Sequence, residues 1–198
     1  AQDIAALQNA EFPVLDSGAG EKMRQEILRA KEQGDSVGGI TQTAVCGLSA
    51  GVGEPWFDSV ESMISHAVFS IGGIKGIEFG SGFSAAGAYG SAFNDPLRME
   101  GERVVTDTNH NGGVNGGITN GMPVVFQCMV KPTPSIARTQ QTVDFLRGEN
   151  AELAIRGRHD PAIIRRVCPV LDSVTALAVC DLLAQRYGTD YLAKEAQT

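Results

Sequence analysis

The sequence predicts an α+β domain, because segments with helical periodicity alternate with short β-branched segments along one uninterrupted run of chain. The clearest helix is residues 165–187, and the clearest strand is residues 123–130, which read PVVFQCMV. No internal repeat and no linker divides the 198 residues. A chain of this length can bury one sizeable core, so residues 1–198 are predicted to form a single domain.

Three segments carry apolar residues at every third or fourth position, which predicts helices. They are residues 20–34, which end at a glycine, residues 58–71, and residues 165–187, where Pro169 is placed in the first turn. The predicted inward faces are Met23, Ile27 and Leu28 in the first helix, Val60, Met63, Ile64, Ala67 and Val68 in the second, and Val167, Val170, Leu171, Val174, Leu177, Ala178 and Leu182 in the third.

β-Branched and alternating segments predict the strands. They are residues 36–48, 74–79 and 123–130, with strand-like pieces at 141–145 and 151–155.

The stretch between the second and third of these strands follows a different pattern. Thirteen of the 24 glycines lie in residues 72–121, and little periodicity remains after Gly80. A long irregular segment inside a domain is usually functional or disordered. Residues 81–121 are therefore predicted to form a glycine-rich loop, of which much of 81–108 is mobile without a ligand.

Composition excludes several function classes. The formal net charge is −7, from 16 basic and 23 acidic residues, so general binding of nucleic acid or of an anionic membrane is disfavoured. The sequence contains no run of about 18 apolar residues, so no transmembrane helix is predicted, and no signal peptide is visible. A local basic pocket for one small anion stays compatible with this charge.

The cysteines and histidines suggest no metal site. Cys46, Cys128, Cys168 and Cys180 lack CxxC spacing and lie in apolar sequence, which favours buried, reduced thiols in a cytoplasmic protein. His66, His110 and His159 are too few and too scattered for a histidine-based site.

Two motifs have the composition of an anion-binding site. Residues 112–121 are rich in glycine, which lets backbone N–H groups approach a ligand closely; by itself this is a weak signal. Residues 131–135, KPTPS, follow a strand directly and offer one ammonium and two hydroxyl groups. They could bind a phosphate or a ribityl chain, or they could form a rigid surface turn.

A third motif is Gly157-Arg158-His159-Asp160-Pro161. Arg158 can form a two-pronged pair with a phosphate or carboxylate, and Asp160 can act as a base. The alternative is a helix entry, in which Asp160 caps the helix and Pro161 takes its first position. His110, inside the glycine-rich loop, could equally face a ligand or solvent.

In this order the motifs resemble successive blocks of chorismate synthase. The blocks are DSVGG (35–39), GVGEPWFDSVE (51–61), IKGIEFGSGF (74–83), NHNGGVNGGITNG (109–121), KPTPSI (131–136) and GRHDP (157–161). The resemblance covers nearly the whole chain but only the carboxy-terminal half of the family's length. It implies the family's sandwich of antiparallel sheets around helices, here only the carboxy-terminal part.

The resemblance also implies an activity: removal of phosphate from 5-enolpyruvylshikimate 3-phosphate in an anti-1,4 elimination that yields chorismate. It implies reduced FMN as cofactor, an association with NADP, a cytoplasmic location, and a homotetramer when the protein is full length. No nucleic acid and no membrane partner is implied.

Site roles follow from the resemblance residue by residue. Asp160 and His110 are the catalytic candidates, and Arg158 is expected to touch both flavin and substrate. The remaining flavin contacts are expected at Gly72, Gly73, Gly116, Asn120, Lys131, Pro132, Thr133, Pro134 and Ser135.

Departures from the family pattern limit these expectations. Ala92 replaces an acidic or amide position in the family's mobile loop, and Asp172 stands where glutamate is usual in the last helix. The family's amino-terminal Gly-Glu-Ser-His-Gly block is absent, so the 198 residues alone are expected to be inactive and to bind FMN weakly or not at all. A non-catalytic flavin- or phosphate-binding paralogue is the main alternative, and a structural oligomerisation domain is another.

Overall fold

Residues 2–191 are described by a computed structural model, in which helices alternate with short strands. The α-helices are Gln2–Asn9 (α1), Ser17–Glu32 (α2), Val60–Val68 (α3), Gly90–Phe93 (α4) and Ile164–Tyr187 (α5), with 3-10 turns at Trp56–Asp58 and Gly82–Gly87. The strands are Gly39–Val45 (β1), Ile74–Phe79 (β2), Leu97–Glu100 (β3), Arg103–Thr106 (β4), Val114–Asn115 (β5), Ile118–Thr119 (β6), Val124–Val130 (β7), Gln140–Asp144 (β8) and Glu149–Leu153 (β9). The α+β prediction is confirmed.

The chain divides into two compact units that are interleaved in sequence. Unit 1 comprises the residues up to Gly39 together with Val130–Val167, and unit 2 comprises Ile40–Met129 together with the residues from Cys168 onward. The single domain over residues 1–198 stays a prediction.

Unit 1 contains helix α2 and the antiparallel hairpin β8–β9, whose register runs from Gln140 opposite Leu153 to Asp144 opposite Glu149. The Asp16 carboxylate caps α2 by accepting a hydrogen bond from the Ala19 N–H at 2.9 Å. These elements confirm the predicted helix and both strand-like pieces, within a few residues at each end.

The predicted inward face of α2 is wrong at two of its three positions, and Ile27 is half-buried. Met23 and Leu28 are exposed, and the buried residues of the helix are Gly20 and Ala30. The three apolar side chains keep helical spacing, but the face that packs within unit 1 is formed by small residues instead. Gly20, for example, packs beside Val14: a Cβ atom at Gly20 would lie in ordinary van der Waals contact with that side chain, at 3.7 Å.

Unit 2 is built on a three-stranded sheet with the order β1-β7-β2. Along β7 every second residue is buried, which places Phe126 and Cys128 in the core with no exposed surface. The Phe126 ring packs at 5.6 Å from the ring of Phe79 on β2. Burial raises the pKa of the Cys128 thiol to about 11, so this cysteine is an inert core residue.

Helix α3 confirms the predicted helix after the Gly51–Pro55 break, with Val60, Ile64 and Val68 buried at helical spacing. Of the other cysteines, Cys46 and Cys180 are exposed, so the prediction of four buried thiols is wrong for these two.

The region 81–108 contains more regular structure than its sequence predicts. It holds α4 and the antiparallel hairpin β3–β4, in which Glu100 pairs with Arg103 across a turn through Gly101. Gly101 adopts a φ of +63°, which suits a tight turn. Most side chains of the hairpin are exposed, so the strands have no hydrophobic alternation by which they could be recognised.

Helix α5 is the longest element, and its predicted inward face is right at most positions and wrong at two. Val167, Leu171, Ala178 and Leu182 are buried, whereas Val170 and Leu177 are exposed. Pro169 is in the interior of the helix, not in its first turn. Because proline has no N–H, the helix lacks the hydrogen bond from this position to the carbonyl four residues earlier.

Among the described residues, α5 is the one helix that is long and apolar enough to meet the length and composition criteria for a membrane span. This is a weak indication of a membrane, because core helices of soluble proteins meet the same criteria. A fully buried Leu171 is typical of a core helix.

Leu171 and Leu177 allow a matched test of this helix, since they share a residue type and an element. Leu171 is fully buried and Leu177 is 72% exposed. We expect Leu171→Ala to lower the free energy of unfolding by about 2–5 kcal/mol, through lost burial and a residual cavity. Leu177→Ala should change it by less than about 0.5 kcal/mol.

Urea denaturation followed by circular dichroism measures both values. If the two substitutions lower the free energy of unfolding equally, the burial of Leu171 and the exposure of Leu177 are contradicted.

Candidate functional site

The turn at residues 131–135 in unit 1 directly follows β7, as the sequence predicts. Its Thr133 carbonyl accepts a hydrogen bond from the Ser36 hydroxyl at 2.7 Å. The Thr133 hydroxyl itself is buried and has no hydrogen-bond partner among the described residues. Lys131 is half-buried and makes no ion pair with any residue that the structure describes. The turn therefore presents one unsatisfied hydroxyl and one unpaired ammonium.

Residues 35–39 support this turn from one side. A Cβ atom at Gly38 would lie 2.5 Å from the Val130 carbonyl oxygen and 3.0 Å from the Pro132 ring. Only glycine allows the two backbones to approach this closely. The same segment reaches the GRHDP motif, because the Val37 N–H donates to the Pro161 carbonyl at 2.8 Å. Residues 35–39 thus connect both predicted anion-binding motifs of unit 1.

An ion pair fixes the beginning of this supporting segment. The Asp35 carboxylate accepts hydrogen bonds from the Ser36 N–H at 2.8 Å and from the Arg138 guanidinium at 2.8 Å. These two interactions lower the pKa of Asp35, the Ser36 N–H contributing most.

The three polar residues of GRHDP have different environments. Arg158 is exposed, and Asp160 forms an ion pair with Arg166 and accepts a long hydrogen bond of 3.4 Å from the Ala162 N–H. Both ring nitrogens of His159 have partners within unit 1. Helix α5 begins only at Ile164, so Pro161 is not its first residue and the helix-entry alternative is wrong.

A groove of about 950 Å³ lies next to this motif within unit 1. Its lining carries five cationic side chains, one histidine and two carboxylates, so the local charge is positive although the whole chain is acidic. These residues are Arg24, Lys31, Arg158, Arg165, Arg166, His159, Glu11 and Asp160. Arg165 pairs with Glu11 at 2.7 Å, which leaves Lys31 and Arg158 as the lining cations without an ion pair in the described chain. Such a groove suits an anionic ligand.

Unit 2 carries the glycine-rich segment, in which Gly112 and Gly113 have a packing role. A Cβ atom at Gly112 would lie 2.5 Å from the Gly80 nitrogen, and one at Gly113 would lie 2.4 Å from the Pro123 carbonyl oxygen. Both residues adopt positive φ angles. These two glycines therefore let backbone segments pack closely and are not free to cradle an anion, whereas Gly116 has open space at its Cβ position.

The Asn120 side chain serves the same segment. Its amide donates to the Asn115 side-chain oxygen at 2.7 Å, and its own oxygen accepts the Met122 N–H at 2.9 Å. Asn120 thus holds the β5–β6 turn together and has little remaining hydrogen-bonding capacity for a ligand.

Asp95 anchors residues 108–111, and the sequence did not predict this role. Its carboxylate accepts hydrogen bonds from the His110 N–H at 2.7 Å, from both the N–H and the side-chain amide of Asn111, and from the Thr108 hydroxyl at 2.7 Å. Burial acts to raise the pKa of Asp95, but these hydrogen bonds outweigh it and lower the pKa to about 2. An Asp 14 residues before an Asn-His-Asn sequence gives no recognisable signal of this contact.

Asp95 holds His110 in a defined position. The His110 Nδ1 atom lies 3.0 Å from the Ser81 hydroxyl, and its ring stacks on Phe93 with centroids 5.8 Å apart. No partner is present for Nε2 within the described residues. His110 therefore keeps one ring nitrogen available for a proton or a ligand.

Gly72 and Gly73 lie in the turn between α3 and β2. Gly72 is exposed with open space at its Cβ position, and Gly73 adopts a φ of +100°. Like Gly116, Gly72 can offer backbone groups to a ligand without steric hindrance.

The Asp95 contacts have a pH-dependent consequence. The folded-state pKa of about 2 lies below the ordinary value of 3.8, so the carboxylate stabilises the 108–111 segment fully above about pH 4. That stabilisation should be lost as the pH falls toward 2. We expect Asp95→Asn to speed amide hydrogen exchange at His110 and Asn111 near pH 6, and to remove the acid dependence.

Asp107→Asn is the matched control, since Asp107 is an exposed carboxylate of the same segment that pairs with Arg98. A surface ion pair of this kind contributes little. If both variants exchange alike, Asp95 is not the anchor of the segment.

Comparisons with known proteins point to one family. A family model described as chorismate synthase matches residues 2–184. The chain is 45% identical over 178 residues to the chorismate synthase of Methanosarcina barkeri, covering 88% of this chain and 49% of that protein. It is 43% identical over 185 residues to that of Thermococcus kodakarensis, covering 93% and 52%.

A solved structure described as chorismate synthase superposes with a TM-score of 0.71 at 27% identity, covering 90% of this chain and 46% of the solved one. The chain thus spans about half the length of the curated relatives it matches. On the match over residues 2–184, the chain belongs to the chorismate synthase family.

Proposed function

We propose that the gene product containing this chain is a chorismate synthase, which removes phosphate and a C6 hydrogen from 5-enolpyruvylshikimate 3-phosphate in an anti-1,4 elimination. The observation that carries the proposal is the turn at residues 131–135, which keeps an unsatisfied buried hydroxyl and an unpaired ammonium together in a chain of this family. Buried polar groups normally have partners, so an unpartnered one at such a turn supports a ligand.

Reduced FMN fits the residues of this turn. The Thr133 hydroxyl can donate a hydrogen bond to a phosphate or ribityl oxygen, and the Lys131 ammonium supplies a point charge for the phosphate. Pro132 and Pro134 fix the backbone between them. When bound, reduced FMN supplies electron density to the substrate as the bond between carbon and the phosphate oxygen breaks.

The chain's own residues contribute binding and proton handling. Exposed Arg158 lines the basic groove of unit 1, which supports binding of a phosphorylated, carboxylated substrate. Asp160 lines the same groove and is proposed to assist removal of the proton. In unit 2, His110 is proposed to move a proton through its available Nε2 atom, and Gly72, Gly73 and Gly116 are proposed to offer backbone groups to the flavin.

Assembly, location and nucleotide association belong to the proposal as well. A homotetramer in the cytoplasm, with NADP associated with its flavin chemistry, is supported by the family resemblance. Exposed apolar side chains such as Val170 and Leu177 support an assembly in which further protein surface covers them.

One observation favours the alternative of a non-catalytic binding paralogue. The Asp160 carboxylate is already engaged in an ion pair with Arg166, so it is not free to face a substrate in this arrangement. Ala92, in place of a polar residue of the family's loop, points in the same direction.

A substitution at Thr133 tests the flavin site. We expect Thr133→Val in the full gene product to weaken FMN binding about five- to tenfold, because the isosteric side chain keeps the volume and loses the donor. Thr142→Val, at an exposed threonine of β8, should leave the affinity unchanged. Quenching of flavin fluorescence measures both, and equal affinities for wild type and Thr133→Val would argue against a ligand at this hydroxyl.

A substitution at Asp160 tests the reaction. An anaerobic assay with reduced FMN follows chorismate by its absorbance. We expect the full gene product to form chorismate and Asp160→Asn to lower kcat at least about 100-fold, with little change in KM. Asp181→Asn, at an exposed carboxylate of α5, is the control and should leave kcat unchanged.

The 198 residues alone should form no chorismate, since the relatives are about twice as long. A folded full gene product that binds FMN but forms no chorismate would establish the binding paralogue instead.

A further inference from the structure

His159 is held at both of its ring nitrogens. Nε2 lies 2.9 Å from the Ile155 carbonyl oxygen, and Nδ1 lies 3.1 Å from the Ser135 hydroxyl. The residue is half-buried, and both partners belong to unit 1. The two contacts connect the GRHDP motif to the strand end before it and to the turn at residues 131–135.

The chemistry of the partners determines the tautomer. A carbonyl oxygen can only accept a hydrogen bond, so Nε2 must carry a proton and donate to Ile155. In the neutral ring Nδ1 is then an acceptor, and the Ser135 hydroxyl donates to it. Thr133 is consequently the hydroxyl of the turn that keeps its proton available for a ligand.

This arrangement leaves His159 without a free lone pair for proton transfer, so the residue acts through its neighbours. Arg158 and Asp160 flank it in the chain, and a ring fixed at two points restricts the backbone that carries both. We propose that His159 is a positioning residue, which holds Arg158 and Asp160 in a fixed relation to the anion-binding turn. This inference rests on the proposed function, because the residues it positions act in that reaction.

A spectroscopic experiment tests the hydrogen bonds without any assay of activity. The chain contains three histidines, so nitrogen NMR of the protein labelled with ¹⁵N-histidine can resolve each ring. We expect His159 to show a protonated Nε2 and an unprotonated Nδ1, and Ser135→Ala to shift the Nδ1 resonance. His66, exposed on α3, is the control that should show averaged tautomers.

Kinetics of the full gene product test the positioning role. His159→Phe removes both hydrogen bonds, and we expect kcat to fall about 10- to 100-fold, as two lost hydrogen bonds imply. His159→Gln places an amide nitrogen near the position of Nε2 and should restore kcat to within about threefold of wild type. A smaller change in KM and an unchanged Tm would separate positioning from a general loss of folding.

The outcomes are distinguishable. A wild-type kcat in His159→Phe, or an unprotonated Nε2 on His159, overturns the positioning role while the proposed function stands. A gene product that forms no chorismate overturns the proposed function, and with it the role assigned to His159, although the tautomer would still report whether the two hydrogen bonds exist.

Discussion

The candidate site in unit 1 depends on the close backbone packing of residues 35–39. Gly38 lies against the Val130 carbonyl and the Pro132 ring at distances that no side chain could share, and Val37 donates to the Pro161 carbonyl. The two candidate anion-binding motifs, residues 131–135 and 157–161, are separate in sequence, but both contact this one segment. Their relative placement is therefore determined by a third segment that has no chemical role of its own.

The same division between supporting and reactive groups recurs inside the motifs. The Ser135 hydroxyl and the His159 ring have their polar atoms engaged with other residues of unit 1, whereas the Thr133 hydroxyl and the Lys131 ammonium do not. The engaged groups fix geometry, because each hydrogen bond restricts a rotation. The unengaged groups remain for a ligand, as a preorganised site requires.

Sequence reasoning succeeded where one physical effect determines the structure. Strand β7 is a short apolar run with several β-branched residues that ends before a Lys-Pro sequence, so its existence could be predicted. Helix α5 was predicted almost to its ends from its helical periodicity. Its exposed Leu177 could not be foreseen, since spacing shows which residues share a face but not how wide the covered part of that face is.

Other features escaped prediction because their cause is not local. The hairpin β3–β4 is exposed on nearly all its side chains, so no hydrophobic pattern marks it. The contacts of Asp95 depend on residues 13 to 16 positions away along the chain. The glycines of 112–121 could equally have cradled an anion or packed against backbone, and only the distances at Gly112 and Gly113 decide for packing.

The unsatisfied hydroxyl of Thr133 links the stability of unit 1 to its ligand. A buried donor without a partner destabilises the folded state, and a ligand that accepts its hydrogen bond removes that penalty. Since the proposed ligand requires residues 35–39 to hold the turn in place, its binding would also favour the folded arrangement of the supporting segment. The unpaired hydroxyl costs the folded chain free energy, and a ligand that accepts its hydrogen bond recovers that free energy on binding. This is the physical reason to expect a functional group at Thr133 and not a packing defect.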